Sequence, residues 1–166
     1  MRILTYIFSL ILLGTVMVGF CAGESVDSVT GHFSYSVEGD WPFGTISGED
    51  VQLPQPTQVG EDAWAIIVEL KDQKKEHPSL YISMRGKEAP TPGSYPLSFA
   101  QESTDYTAMI IGKNNSIQVI SGSGVLDIVA SNGKMLEALF EFQAENESSL
   151  LKNAVVKGSF LAVVAP

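Results

Sequence analysis

Apolar residues recur at every second position along most of the chain beyond residue 30, the pattern of strands with one face in a core and the other in water. Phe33, Tyr35 and Val37 alternate with serines before Gly39-Asp40 closes the run. Trp64, Ile66, Val68 and Leu70 line one face of a second run, and Ala65 and Ile67 on its other face point to burial on both sides. A charged turn over residues 71–79, containing His77-Pro78, leads to Leu80, Ile82 and Met84. The two runs therefore read as a hairpin.

Residues 106–111, 117–119 and 125–129 are β-prone, with Ser121-Gly122-Ser123-Gly124 as a bulge or break between them. Asn132-Gly133 predicts a two-residue type I′ turn joining residues 125–130 to 135–144. In the second of these strands Leu136, Ala138, Phe140, Phe142 and Ala144 form the inward row. A last strand over residues 154–164 puts Gly158, Phe160, Ala162 and Val164 on one face. The prolines of residues 89–97 exclude a central strand there. Helical periodicity is weak, with at most a short turn over residues 98–103. The expected class is all-β, an antiparallel β-sandwich or small β-barrel of about eight or nine strands.

The first residues are of another kind. Arg2 precedes a long apolar run ending in Gly19-Phe20-Cys21-Ala22-Gly23, and Glu24 to Ser28 is abruptly polar. The expected organisation is a signal peptide or membrane anchor over residues 1–23, a linker over 24–30 and a single β domain over 31–166. Three readings of the leader stay open. Small residues at Gly19, Cys21 and Gly23 suit cleavage on export. Cys21 is the candidate lipidation site of a lipoprotein, although the bulky Phe20 stands where a lipobox wants a small residue. The run of about 21 residues is also long enough to span a bilayer uncleaved. Each places the body outside the cytoplasm, in the periplasm, at the cell surface or secreted, touching membrane only through its N-terminal segment.

The single cysteine lies in the leader, so the body must be held by an apolar core rather than by disulfides. A net charge of −9 and the lack of clustered Lys and Arg argue against nucleic acid or an anionic lipid surface as partner of the body. Lys71, Lys74 and Lys75 are diluted by Asp72 and Glu76 and read as a solvated turn. His32 and His77 lack neighbours at metal-ligand spacing and read as surface histidines, so no metal and no cofactor is expected. No Gly-x-Ser-x-Gly elbow is present. Gly48-Glu49-Asp50 and Gly60-Glu61-Asp62 are ordinary turn chemistry, or, if their acids converge in one cleft, the acids of a hydrolase. Trp41-Pro42-Phe43 follows the Gly39-Asp40 turn and gives the candidate ligand-binding residues, Trp41 and Phe43, against the alternative of aromatics packed at the sheet's end.

Gly124-Val125-Leu126-Asp127-Ile128, a turn, the alternating strand ending Phe140-Glu141-Phe142-Gln143-Ala144, a loop, and Gly158-Ser159-Phe160 form an ordered set. It resembles the C-terminal part of small uncharacterised exported β domains common among bacterial lipoproteins, especially those of Bacteroidota. The resemblance implies no activity and assigns no catalytic residues. The functional expectation is a non-catalytic β domain binding a small ligand or a protein partner. The alternatives are a small secreted inhibitor presenting residues 85–94 and a hydrolase using the paired acids.

Overall fold

In the computed structural model the described residues are 29–39, 43–74, 76–98, 106–112, 118–145 and 154–165. Trp41 and Cys21, and with them the leader, lie outside that set. Ten strands form among the described residues: β1 (His32–Glu38), β2 (Thr45–Glu49), β3 (Thr57–Gln58), β4 (Trp64–Leu70), β5 (Ser79–Arg85), β6 (Gly93–Leu97), β7 (Tyr106–Ile111), β8 (Gln118–Ser131), β9 (Met135–Glu145) and β10 (Ala154–Val163). All the ladders between them are antiparallel, in the order β2-β1-β10-β9-β8-β7-β5-β4-β3, with β6 branching from β8. β2 and β3 end the order, so the strands fold into two layers as a β-sandwich and do not close into a barrel.

β8 makes the layers possible. Its first residues pair with β7, Gln118 to Ile120 against Ile111 to Met109, and its later residues pair with β6, Gly124 to Ile128 against Leu97 to Gly93. Between these two segments the register against β9 slips, leaving Gly122 unmatched between Ser121 and Ser123. A bulge of this kind bends a strand and sharpens its twist, and here it lies between the part of β8 paired to β7 and the part paired to β6. The Ser121–Gly124 stretch is therefore a bulge inside a continuous strand rather than a break.

The inward rows follow the alternation. Leu136, Ala138, Phe140, Phe142 and Ala144 are all buried, as are Ile66, Val68, Leu70, Leu80, Ile82 and Met84, in one core cluster with Phe33, Tyr35 and Phe160. On β4 Ala65 is buried but Ile67 is 37% exposed, so that strand is only partly covered on its second face. Two contacts tie the layers on one side. The Tyr35 hydroxyl donates to the Pro78 carbonyl at 2.9 Å, and the Gln73 amide donates to the Asp50 carboxylate at 2.7 Å. Just past Asp50, beyond the same end of β2, residues 51–53 run beside the end of β10. Val163 N donates to Val51 O and Leu53 N to Val163 O, with Val51 and Leu53 buried beneath.

The β8–β9 turn departs from expectation. Gly133 has φ 76°, yet the only non-glycine with positive φ among the described residues is Asp50, so Asn132 does not adopt the type I′ conformation. The turn is centred one residue later, on Gly133-Lys134, with glycine first as a type II′ turn requires. Asn132 serves through its side chain instead: Oδ1 accepts from Lys134 N and Met135 N, each at 3.0 Å. Asn132→Ala should therefore cost about 1 kcal/mol, since an exposed hydrogen bond is worth about that much net. Thermal denaturation would read it, and an unchanged midpoint would contradict this role for the side chain.

Candidate functional site

Of the expected binding residues only Phe43 lies among the described residues, and the two acid pairs do not converge. Phe43 is half-buried, packed against the core cluster, and meets the His77 ring edge-on with centroids 5.8 Å apart. Phe43 thus joins the chain entering β2 to the turn between β4 and β5. Glu49 ends β2 and Asp50 follows it at φ 61°, a left-handed conformation that aspartate tolerates better than most residues. Glu61 and Asp62 lie in the β3–β4 turn, closed by Val59 N donating to Ala63 O. Glu49 and Asp50 line cavities that Glu61 and Asp62 do not. No group of three or more potential ligands at metal-binding distance occurs among the described residues.

Asp72 departs from the reading of the Lys71, Lys74 and Lys75 cluster, with Asp72 and Glu76, as a solvated turn, and its partner is His77. Its Nδ1 lies 2.6 Å from Asp72 Oδ2, and Asp72 is buried at 8% exposure. Asp72 Oδ1 also accepts from Glu76 N at 3.2 Å. Burial pushes the Asp72 carboxyl up, but the bond and charge of His77 and two backbone N–H donors outweigh it and hold it below the usual aspartate range. Beneath the pair, burial and the Asp72 charge raise the Tyr35 phenol above its ordinary range, so it stays a donor to Pro78 O. His32, by contrast, is exposed on β1, with Nδ1 3.4 Å from Thr30 O.

The sign of the pH dependence follows from the lowered Asp72 value. A carboxyl that is more acidic folded than unfolded contributes stability above its unfolded pKa, and that contribution disappears as pH falls through the folded value. The protein should lose stability on the acid side through this pair. Asp72→Asn should flatten that part of the stability curve, measured by urea unfolding at a series of acid pH values. An identical acid limb in the variant would show that other carboxylates carry it.

Around this pair lies a cleft of about 370 Å³, lined on one side by all of β2 and on the other by residues of the β4–β5 turn, including Asp72, Glu76 and His77. Two further cavities flank the sandwich. One of about 420 Å³ lies along the outer face of β4 beyond the Asp50–Gln73 bond, with Ile67 and Glu69 in its wall. There Glu69 Oε1 accepts from Tyr81 Oη and Lys71 Nζ. The other, about 460 Å³, is bounded by residues 53–56, 87–92 and the β8–β9 turn. Within the 85–94 stretch residues 87–92 form part of its wall, with Pro90 buried and Ala89 packed on the core, while Arg85, Lys87, Glu88 and residues 91–94 are exposed.

The pairing of Asp72 with His77 left little trace in the sequence. The two are five residues apart across a turn and share no recognised motif. The useful signal would have been a carboxylate and a histidine enclosing a β-hairpin turn that ends in proline. Chemically, the arrangement fixes one imidazole nitrogen on a buried carboxylate and sets an aromatic edge against the same ring. It is a rigid wall for a cleft. No protein family model, no curated protein and no solved structure matches the chain.

Proposed function

We propose that this chain is an exported, non-catalytic β domain that binds a partner outside the cytoplasm, and that the cleft between β2 and the β4–β5 turn is where it does so. One observation carries the reading: Phe43 and the Asp72–His77 pair, from separate parts of the chain, meet beside a concave surface of about 370 Å³. Ligand clefts are commonly of this size, with a few fixed polar groups among apolar ones. The apolar leader, Arg2 and the small residues around Cys21 support export.

The test is comparative. Immobilised protein would be exposed to an extracytoplasmic extract of its host beside Phe43→Ala, His77→Ala and, as a control on an exposed strand face, Leu139→Ala. Binding at the cleft predicts a species retained by the native protein and Leu139→Ala but lost from the other two. Equal retention by all four would move the site elsewhere. Intact mass of the protein from its host addresses the leader: loss of the leader means soluble export, added diacylglycerol means lipidation at Cys21, and full length means an anchor.

A further inference from the structure

We infer that the cleft takes an extended, lysine-bearing peptide segment that adds to β2 as a further strand. The inference rests on the binding function proposed above and names its occupant. The strand order leaves three outer edges among the described residues: β2, β3 and β6. β3 has only two residues, too few to template a partner. β6 contains Pro96, which has no N–H to offer, and starts at Gly93 with φ 153°. Native sheets protect their edges by such means, with short strands, prolines, bulges or lysines. β2 has no proline, bulge or lysine, and with five residues it is longer than β3. Thr45-Ile46-Ser47-Gly48-Glu49 pairs in unbroken register with β1 on one side, and its other side borders the cleft.

The ends of β2 also favour a partner of limited length. Gly44 at φ 64° and Asp50 at φ 61° turn the chain away at both ends, so the available edge is short and bounded. An incoming strand would find backbone groups on the β2 side and the β4–β5 turn on the other, which is the arrangement of strand-addition sites. The charges set the chemistry of the occupant. Glu49 and Glu76 line the cleft, and the carboxylate of neither is in an ion pair or hydrogen bond among the described residues, whereas Asp72 is already paired to His77. Only Lys74 opposes them in the lining, and the whole chain carries −9. A cationic segment is attracted, and a second copy of this acidic chain is repelled.

The probe is a short blocked peptide of alternating threonine and valine with a lysine at each end, beside its fully N-methylated analogue. The methylated form keeps the side chains but cannot donate backbone hydrogen bonds. Amide hydrogen exchange across the whole protein is the readout. Strand addition predicts exchange slowed about tenfold or more at residues of β2 by the first peptide and not by the second. Glu49→Gln combined with Glu76→Gln should weaken that peptide about fivefold. Equal protection by both peptides, protection confined to another strand, or no protection overturns the inference. So does slowing of the same amides by protein concentration alone, which would give the edge to a second copy. If capture by the native protein is lost in Phe43→Ala and His77→Ala while the peptide fails at β2, the binding function stands and only the strand-adding occupant falls.

Discussion

Phe142→Ala should lower the unfolding free energy by about 3–5 kcal/mol, the usual cost of removing a fully buried aromatic side chain. Phe142 is 1% exposed, on the inward row of β9, with Val156 of β10 opposite on one side and Gly124 of β8 on the other. It stacks with Phe140 at 6.3 Å between centroids, and Phe140 in turn lies 6.4 Å from Phe160. The hole would therefore open at the end of an aromatic row, where strands hydrogen-bonded on both sides cannot move in to fill it. Leu139 lies on the same strand but on the other face, 51% exposed. Leu139→Ala should change stability by no more than about 0.5 kcal/mol. Urea unfolding of both variants measures the contrast. A loss at Phe142 as small as at Leu139 would mean that the β9 register is wrong, because a slip of one residue exchanges the two faces.

That contrast also marks what was legible in the sequence. The β9 and β10 rows could be read directly, since a strand covered on one face alternates cleanly. β2 could not be seen: Ile46 is its only large apolar residue, and it is a strand because β1 supplies the ladder. The prolines of residues 89–97 excluded a central strand, and β6 is indeed an outer one, with Pro96 accommodated where the strand bonds to β8 alone. Whether the sheet closed was beyond local pattern, since that depends on whether β2 meets β3, at opposite ends of the order. The candidate site shows the same limit. Phe43 was identified from its place after a turn, but Asp72 and His77 looked like parts of a solvated charge run. The turn that carries them is held by Tyr35, 43 residues from the Pro78 carbonyl to which it donates, and no local window contains that contact.

The second large effect is expected at Gly158, where two opposing effects can be weighed. Its φ is not in the left-handed region, so alanine could adopt the backbone and would gain about 0.4–1 kcal/mol by restricting the unfolded chain. Against this, a Cβ there would lie 2.5 Å from Ser34 O, 2.6 Å from Tyr35 Cβ and 2.6 Å from Phe140 Cζ. Tyr35 and Phe140 are its direct partners on β1 and β9, so the glycine is overhung from both neighbouring strands. Only the Phe140 ring can swing aside; the other two contacts demand that β1 move. Overpacking of this kind costs about 1–3 kcal/mol, so the clash wins and Gly158→Ala should be destabilising. Gly60→Ala is the matched control: its Cβ would meet only Ala63 Cβ at 3.4 Å, and it should be neutral or slightly stabilising. The Gly158 substitution has a second consequence that a simple core defect lacks. Displacing β1 displaces Tyr35, whose hydroxyl holds Pro78 and with it the turn bearing His77. Amide exchange at residues 72–77 should accelerate more in Gly158→Ala than in a core variant of equal stability loss. If the two variants accelerate those amides alike, Tyr35 does not carry strain from the sheet to the cleft.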